Sequence, residues 1–593
     1  MIETIQALLL ELYGPAAGGL AWASLRPRLE EFRARRPPGR PRSAGLPLSE
    51  RDALLITYGD QVTRRADGGA LAEPPLRTLA DFCRERLAGL LSGVHILPFY
   101  PYSSDDGFSV MDYTAVDPAL GTWADVEHLG QHFRLMFDAV INHISAHSAW
   151  FQAWRRGDPD YADFFITVDG DPDLSAVVRP RALPLLTPVE TAHGPHRVWT
   201  TFSDDQIDLN FANPAVLLAV IDVLLEYVAR GAEFLRLDAI AYLWKQIGTT
   251  SIHRPQTHRI IHLLRALLDE VAPQVILITE TNVPHADNLS YFGDGQNEAQ
   301  LVYNFALPPL TLHALHTGNA QVLSTWAADL QRPSEQVTFF NFLASHDGIG
   351  VNPARGILPE SAISAMVARV QAHGGLVSYK HNADGSPSPY ELNVNYFDAL
   401  SDPAGAEPLA RQSDRFMVAQ AIMLALVGVP GIYFHSLVGS RGWAAGVAQT
   451  GRNRTINREK LDVAALEQEL AHPLHLRHLV FQRFAQLLRA RSANPAFHPL
   501  GQQTVLHVGE GVFALLRASP DGLSRAVCLH DVSGAGAPAP LDLAALDWGT
   551  NAARDLVDGR VLSADNSGRL TVPLAPYGVA WLAPTETRPG GNA

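Results

Sequence analysis

A chain of 593 residues is far longer than one ordinary domain, so a large domain with one or two satellites is expected. Hydrophobic residues make up 47% and charged residues 18%, which is the balance of a folded protein rather than a disordered one. The net charge of −15 argues against nucleic acid or an anionic membrane surface as the main partner.

The cysteine content and the N-terminus both bear on location. Only Cys83 and Cys528 occur, which excludes a disulfide framework and a cysteine-rich metal site and fits a reducing cytoplasm. The first residues, MIETIQALLLELYG, have no basic region and predict a short amphipathic helix rather than a signal peptide. No apolar run approaches the roughly 18 residues that span a bilayer. We therefore expect a cytoplasmic protein without a membrane partner.

Residues 1–46 predict a helical segment that ends in RRPPGRPR, a stretch typical of a linker. Residues 47–498 then alternate short apolar runs with amphipathic helical stretches. In chain order the runs are ALLITYGD, GVHILPFYP, RLMFDAVINH, AEFLRLD, VILITE, LVYNFA, VTFFNFLASHD and GVPGIYFHS. Apolar strands that each precede a helix indicate a parallel sheet with helices outside. Eight such units predict an α/β fold, the (β/α)8 TIM barrel.

Two intervals interrupt this rhythm. Residues 144–212 are too many for a plain connection and predict an inserted domain after the third strand. A second insertion, residues 348–410, follows the seventh strand, and both insertions belong to the C-terminal face where barrel active sites are built. Residues 499–593 contain short alternating runs separated by turns and predict a C-terminal all-β domain, expected to cover barrel helices or to contribute to a dimer.

Three acidic residues end apolar strand runs. Asp238 ends FLRLD, Glu280 ends ILITE and Asp347 closes FLASHD. A carboxylate at this rim of a barrel is usually catalytic or ligand-binding, because burial inside the barrel would leave its charge unpaired. The alternative for any single one is a helix cap or a structural ion pair. Three together, with Arg236 and His346 beside them, favour a catalytic centre.

Paired carboxylates of this kind are what retaining glycosidic cleavage requires. One acid protonates the leaving oxygen while a second carboxylate, roughly 5 Å away, attacks the sugar carbon. Arg236 would keep Asp238 ionised. Glu280 must hold a proton when cleavage starts, and the neighbouring negative charges would raise its pKa.

DAVINH, FLRLD, ITE and SHD resemble, in order and spacing, the four signature regions of the α-amylase superfamily, glycoside hydrolase family 13. The resemblance implies that Asp238 is the nucleophile, Glu280 the general acid and base, and Asp347 a transition-state stabiliser. It also implies that three further residues line the glucosyl subsite, namely His143, Arg236 and His346.

Other stretches, including HILPFYPYSSDDGFS, SHDGIG and GRNRTINR, are similar to the sucrose phosphorylase subfamily. That resemblance implies that Asp105 and Arg454 close the glucose pocket, with Phe108 and Phe202 as aromatic walls. Tyr242 occupies the matching position after the nucleophile. Ordinary core packing is the alternative for each aromatic residue taken alone.

Phosphorolysis needs a cation that admits phosphate where the leaving group departed, and the arginine fork suits phosphate oxygens. The inserted domain carries RPR, similar to the loop that supplies such an arginine in sucrose phosphorylases. Arg181 is the candidate, and the alternative is a solvated loop arginine.

The chain departs from sucrose phosphorylases in the segment YELN, where those enzymes read YQVN. Tyr390 and Glu391 are therefore predicted to bind or select the acceptor, since an ionised Glu391 only accepts hydrogen bonds. ETNVPH, VSYK and SPYELN look more like the glucosylglycerate phosphorylases. Lys380, His381 and His285 lie in these segments and are candidates to bind a glycerate carboxylate, with surface placement the alternative.

The sequence thus predicts a retaining phosphorylase that moves glucose from glucosylglycerate to inorganic phosphate. Sucrose phosphorylase, glucosylglycerol phosphorylase, an amylosucrase-like transglucosidase and a catalytically silent binding barrel remain alternatives. Phosphate is expected as a co-substrate, with no cofactor and no metal. Asp138 and Asn142 are weighed as ligands of a calcium site such as many amylases have. The expected partners are a small sugar substrate, phosphate and, as a homodimer, a second copy.

Overall fold

The computed structural model describes residues 2–35, 46–67, 69–180, 183–382 and 386–585. Its centre is a closed barrel of eight parallel strands, in which each strand pairs with its neighbours in chain order and the last pairs with the first. The strands are β1 (Leu54–Thr57), β2 (Gly93–Ile96), β3 (Arg134–Ala139), β4 (Ala232–Leu237), β5 (Ile276–Thr279), β6 (Leu301–Tyr303), β7 (Thr338–Asn341) and β8 (Val429–Tyr433). All eight predicted runs form barrel strands.

These runs form strands because nearly every residue in them is buried on both faces of the sheet. Inside, side chains fill the barrel; outside, they pack against helices. The register aligns Thr279 of β5 with Leu237 of β4, so the residues that follow, Glu280 and Asp238, emerge side by side. The strand ends therefore bring the predicted carboxylates to one rim.

The long helices between strands form the outer layer of the barrel. They are Pro75–Leu87, Trp123–Gly130, Pro214–Ala229, Pro255–Val271, Leu307–Thr317, Leu409–Ala425 and Leu476–Ser492. Further helices lie in the connections, at Ala149–Arg155, His285–Leu289, Gln321–Ala328, Glu360–Ala372, Tyr396–Leu400, Phe434–Leu437, Ala444–Thr450 and Val463–Ala471. Within the described ranges, no helix is long and apolar enough to cross a membrane.

An N-terminal helical segment, Ile2–Arg35, lies across the outside of the barrel. Gly14 breaks it into two helices, because its φ of 77° is left-handed and Pro15 follows. The segment packs against Pro214–Ala229 and Pro255–Val271. The Tyr13 hydroxyl fastens it by donating to the Phe211 carbonyl at 3.0 Å.

The two insertions form small units on the C-terminal face of the barrel. The first contains an antiparallel pair, His143–Ser145 with Gln206–Asp208, and a hairpin, Leu186–Thr191 with Gly194–Trp199. The second contains a three-stranded antiparallel sheet of Ile349–Gly350, Leu376–His381 and Pro387–Asn393. Each insertion supplies side chains to the space above the barrel.

The chain ends in antiparallel β-structure. A six-stranded sheet contains Gln502–Leu506, Val512–Ala518, Arg525–Asp531, Val579–Pro584, Ala552–Asp555 and Val561–Ser563, and a two-stranded sheet pairs Ala539–Asp542 with Arg569–Val572. The larger sheet packs on the barrel helix Leu409–Ala425. The buried Arg517 guanidinium joins the two, donating to the carbonyls of Ala425, His498 and Gln502. The predicted fold class, a TIM barrel with two insertions and a C-terminal β domain, is confirmed.

Candidate active site

A pocket opens at the C-terminal ends of the barrel strands. Eleven residues predicted from the sequence line it: Asp105, Phe108, His143, Phe202, Asp238, Tyr242, Glu280, His346, Asp347, Tyr390 and Arg454. Two more, Arg236 and Glu391, lie behind the pocket wall and contact lining residues. The fourteenth, Arg181, lies outside the described residues, although its neighbour Pro180 is part of the lining.

Asp238 sits directly after β4 and is held by an arginine from the same strand. Arg236 Nη1 donates to Asp238 Oδ1 at 2.8 Å, and the Asp238 backbone N–H donates to the Ala139 carbonyl at 3.2 Å. Both side chains are almost fully buried. Within the described ranges only Oδ1 of this carboxylate accepts a hydrogen bond, which leaves Oδ2 to face a sugar carbon.

Glu280 faces Asp238 from the end of β5. The backbone N–H of Ala239 donates to Glu280 Oε2 at 3.0 Å, while Arg236 Nη2 lies 3.8 Å from the same oxygen. Arg236 is therefore closer to Asp238 than to Glu280. This difference separates the environments of the two carboxyl groups.

Burial raises the pKa of both Asp238 and Glu280. The Asp347 carboxylate raises both pKa values further, and Glu280 adds to the rise at Asp238. Two carboxyl groups so placed hold one proton between them more readily than two charges. Because the Arg236 guanidinium opposes the rise from 2.8 Å at Asp238 but from 3.8 Å at Glu280, the charge is favoured on Asp238. This arrangement favours the proton on Glu280, where a general acid requires it.

Asp347 completes the group of acids from the segment after β7. Its Oδ1 lies 2.6 Å from Arg454 Nη1, 3.4 Å from His346 Nε2 and 3.7 Å from Arg458 Nη2. Burial lowers the pKa of His346, and the guanidinium groups of Arg458, Arg236 and Arg454 lower it further, so its imidazole is neutral. Asp347 is thus held between two arginines, with a neutral imidazole beside it.

The part of the wall that carries Asp105 is built on a strained turn. Asp105 and Asp106 have φ values of 53° and 50°, a left-handed conformation that non-glycine residues adopt at a cost. Arg458 Nη1 stabilises the turn by pairing with Asp106 Oδ2 at 2.5 Å, and its Nε donates to the His346 carbonyl at 2.9 Å. Arg458 therefore ties this turn to the segment that carries Asp347.

Aromatic rings form the sides of the pocket. The Phe108 ring stacks on the His346 ring with centroids 4.6 Å apart and planes 6° apart. Phe202, from the first insertion, packs edge-on against Tyr242 at 5.5 Å and lies 5.3 Å from His143. The rings and the acids together give a pocket with apolar faces and charged ends, the composition that suits a sugar ring.

His143 is fixed by a chain of polar contacts that ends at a lysine. His143 Nε2 lies 2.9 Å from the Phe108 carbonyl, and Asn142 Nδ2 lies 3.2 Å from His143 Nδ1. Lys245 Nζ donates to Asn142 Oδ1 at 2.7 Å and pairs with Asp208 Oδ2 at 2.6 Å, with only 2% of the lysine side chain exposed. A buried ammonium thus joins Asn142 of the barrel to Asp208 of the first insertion.

The calcium site weighed from the sequence does not fit these residues. Asn142 Oδ1 accepts a hydrogen bond from Lys245, and the Asp138 carboxylate pairs with His95 and Arg236. Among the described residues, no group of three or more His, Cys, Asp or Glu side chains is arranged to hold a metal ion.

Glu391 does not line this pocket, although with Tyr390 and Arg454 it lines a neighbouring cavity, and its role in acceptor selection stays a prediction. Its side chain is buried and accepts three hydrogen bonds. The donors are Arg454 Nη2 at 2.7 Å, Arg454 Nε at 3.0 Å and the Gly348 N–H at 3.1 Å. With both carboxylate oxygens engaged, Glu391 holds Arg454 in place. Tyr390, beside it, does line the pocket.

The other acceptor-side candidates lie away from the lining. Lys380 is half-buried on the Leu376–His381 strand, and burial and the nearby Arg355 lower its pKa. His285 begins a short helix and packs at 5.9 Å against Trp326. The His381 side chain lies outside the described part of the structure.

Sequence reasoning missed several residues of the site. Gln206 donates from Nε2 to the Phe108 carbonyl at 3.0 Å, and Asn282, two residues after Glu280, lines the pocket. The position of Asn282 two residues after a strand-end acid was a usable signal. Arg458 ends the INR stretch already singled out. Nothing in the spacing pointed to Gln206 or Lys245.

Comparison with known proteins places this site in a family. A family profile described as "Alpha amylase, catalytic domain" matches residues 89–352. A glucosylglycerate phosphorylase of Spirochaeta thermophila is 50% identical over 98% of this chain and 99% of its own length. The chain belongs to the glucosylglycerate phosphorylase family. The resemblances drawn from the sequence motifs are confirmed.

Other members and neighbours agree with this assignment. A glucosylglycerate phosphorylase of Allomeiothermus silvanus is 54% identical over 80% of this chain and 84% of its own length. Sucrose and glucosylglycerol phosphorylases match at lower identity. The crystal structure of a sucrose 6F-phosphate phosphorylase from Thermoanaerobacter thermosaccharolyticum superposes with a TM-score of 0.71 at 25% identity, covering 83% of this chain and 96% of that one.

Proposed function

We propose that this chain is a retaining α-glucoside phosphorylase that converts 2-O-α-D-glucosyl-D-glycerate and phosphate into α-D-glucose 1-phosphate and D-glycerate. The observation that carries the proposal is the 50% identity to a glucosylglycerate phosphorylase along nearly the whole chain. The site supports it independently, because the carboxyl groups of Asp238, Glu280 and Asp347 converge on one pocket. Asp105 and Arg454, which the resemblance to sucrose phosphorylases assigns to a pocket for a single glucosyl unit, are among its lining residues.

In the first half-reaction, an Asp238 oxygen forms a bond to the anomeric carbon while the bond from that carbon to the glycerate oxygen breaks. Glu280 gives its proton to the departing oxygen, so glycerate leaves as a neutral alcohol at that position. Asp347, held by Arg454, accepts hydrogen bonds from sugar hydroxyls as positive charge grows on the ring. The product is a β-glucosyl-enzyme.

In the second half-reaction, a phosphate oxygen attacks the same carbon from the face that glycerate left. The bond to Asp238 breaks, and the proton of the attacking P–OH group passes to Glu280, which restores the starting state. Two inversions give net retention. Phosphate must approach an ionised Glu280, so a cation has to offset the repulsion between them.

Arg181 is our candidate for that cation. Its neighbour Pro180 lines the pocket, and Arg454, the lining arginine, already pairs with Asp347 and Glu391. Because the glycerate carboxylate leaves from the face that phosphate enters, the same cation is suited to both anions in turn. Lys380 is a second, outer candidate.

The decisive measurement is release of α-glucose 1-phosphate from glucosylglycerate, sucrose and glucosylglycerol, each with and without phosphate. The proposal expects strong release from glucosylglycerate that depends on phosphate. Release mainly from sucrose or glucosylglycerol would reassign the acceptor. Turnover that is indifferent to phosphate would make the chain a hydrolase or a transglucosidase.

We further propose that the reaction needs phosphate as co-substrate and no metal or organic cofactor. Dialysis against a chelator is then expected to leave the rate unchanged. The free, buried thiols of Cys83 and Cys528 fit work in a reducing cytoplasm. A homodimer is our proposal for the assembly, and light scattering across a concentration series tests it.

A further inference from the structure

A buried histidine stands behind the catalytic carboxylates. His95 lies on β2 with none of its surface exposed, and its Nε2 is 2.7 Å from Asp138 Oδ2. Asp138, on β3, is also fully buried. The register of the neighbouring strands pairs His95 with Met136, two residues before Asp138, so both side chains point into the barrel. Neither residue lines the pocket.

Asp138 also contacts Arg236, the arginine that holds the nucleophile Asp238. Arg236 Nη1 donates to Asp138 Oδ1 and, at 2.8 Å, to Asp238 Oδ1. One guanidinium nitrogen is therefore shared by two carboxylates. The result is a continuous buried series across three adjacent strands: His95, Asp138, Arg236 and Asp238.

Arg236 can divide its hydrogen bonds between Asp138 and Asp238 only if the attraction between Arg236 and Asp138 is limited. A carboxylate with two free oxygens favours a two-pronged pairing with a guanidinium. In this protein Oδ2 is occupied by His95, so only Oδ1 is left for Arg236. Removal of the histidine would leave Oδ2 as a buried, uncompensated oxygen, which draws Arg236 toward Asp138 and away from Asp238.

We propose that His95 is a positioning residue for the nucleophile, acting through Asp138 to keep Arg236 divided between Asp138 and Asp238. The inference rests on the proposed role of Asp238 as the attacking group. It adds to that role a residue three contacts away, which touches no substrate.

The charge state of His95 fits this role. Burial lowers the pKa of His95, against the opposing effect of Asp138, so the ring is neutral. Its Nδ1 has no hydrogen-bond partner among the described residues, which suits an unprotonated nitrogen and leaves the hydrogen on Nε2. Burial would raise the pKa of Asp138, but Arg236 and His95 prevail and lower it to about 2. A neutral donor therefore meets a permanent carboxylate.

The test compares His95→Leu with His95→Gln, using α-D-glucosyl fluoride as donor. Fluoride leaves without a proton, so the rate of glucosyl-enzyme formation reports on Asp238 and is independent of glycerate and phosphate. The charged groups acting on Asp238 are Arg236, Glu280, Asp138 and Asp347. Once Arg236 is drawn away, the pKa of Asp238 rises, and the acid limb of the pH profile moves to higher pH.

We expect His95→Leu to lower kcat about 30-fold with KM within about twofold, and to move the acid limb upward by about half a unit or more. His95→Gln keeps an N–H donor and is expected to recover most of the rate. His530→Leu, an equally buried histidine of the C-terminal domain, is the control for general destabilisation and should leave the pH profile unchanged.

An unchanged profile in His95→Leu, or no recovery in His95→Gln, would overturn the inference. If His95→Leu does not fold, nitrogen NMR of the wild-type imidazoles decides, with the His95 signal assigned by its loss in His95→Gln. A neutral ring with hydrogen on Nε2 at every pH where the protein is folded supports the inference; a titrating ring refutes it. A wild-type protein that does not cleave glucosyl fluoride would refute the proposed function itself.

Discussion

Asp238 and Glu280 differ in their distance from one guanidinium, and their separate roles follow from that difference. Arg236 lies 2.8 Å from the first and 3.8 Å from the second. Asp238→Asn keeps the shape but removes the attacking oxygen, so we expect turnover of every α-glucosyl donor to fall by about four orders of magnitude. Measurement of glucosyl-enzyme formation with glucosyl fluoride checks this. Normal turnover in the variant would rule out the double displacement.

Glu280→Gln is expected to behave differently. Loss of the proton donor should slow cleavage of glucosylglycerate by about a thousandfold, but leave glucosyl-enzyme formation from glucosyl fluoride within about tenfold of the wild type. A single-turnover comparison of the two donors measures the ratio. Equal losses with both donors would mean that Glu280 is not the acid.

The pH dependence follows from the same pair. Burial raises the pKa of Glu280, Asp347 adds to the rise, and Arg236 opposes it. Cleavage of glucosylglycerate needs the protonated form, so the rate should fall as pH rises through this elevated pKa. With glucosyl fluoride the alkaline limb should be absent. An alkaline limb shared by both donors would assign it to another group.

Glu391 offers a contrast between two explanations of one residue. Since it holds Arg454 by two hydrogen bonds, we expect Glu391→Ala to slow the reverse reaction from glucose 1-phosphate by about tenfold for glycerate and glycerol alike. Glu391→Gln, which loses only the charge, should lose less. A change in the ratio of the rates with glycerate and glycerol would instead show that Glu391 selects the acceptor.

Arg181 is tested through the kinetics of phosphate. Replacement of a fork that pairs with phosphate should raise the KM for phosphate about tenfold or more in Arg181→Gln, with little effect on glucosyl fluoride. Arg179→Gln, which alters a partly exposed arginine two residues earlier, is the matched control. Equal effects in the two variants would reduce Arg181 to general surface charge.

At the scale of elements, the first insertion depends on a buried ion pair. Lys245 follows β4, and Asp208 belongs to the insertion strand Gln206–Asp208. Lys245→Met leaves Asp208 buried without its partner and should destabilise the protein by about 3–5 kcal/mol. Thermal unfolding and limited proteolysis of residues 144–212 measure this. Lys245→Met combined with Asp208→Asn should recover part of the loss.

The elements also show what the sequence can and cannot predict. Strand-end acids were predictable, because consecutive parallel strands deliver their ends to one rim. Pairings such as Lys245 with Asp208 or Glu391 with Arg454 were not, since they join residues far apart in the chain whose approach depends on how the insertions fold back. Glu391 was expected at the acceptor because it replaces the glutamine of the YQVN segment of sucrose phosphorylases. Alternation along a strand instead turns it inward.

At the scale of the whole molecule, the C-terminal domain is joined to the barrel by Arg517. Its guanidinium donates to three carbonyls, one of them Ala425 on a barrel helix. Arg517→Met should cost about 3 kcal/mol through the carbonyls left unsatisfied, whereas Arg525→Met, on the next strand of the same sheet, should cost less than about 1 kcal/mol because its contacts stay within the domain. Chemical denaturation measures the free energy of unfolding of both variants. Equal losses would mean that Arg517 contributes no more than Arg525 to joining the domain to the barrel.

The ammonium of Lys245 links the first insertion to the barrel, and this link is part of the protein's own chain. A tether recruited from solution is filled only as far as its supply and affinity allow, and a scavenger can strip it away. A side chain is present once in every copy, at any dilution, from the moment of synthesis. The first insertion should therefore stay attached to the barrel equally well in ion-poor and ion-rich solutions. Only reagents that modify amines should weaken this attachment.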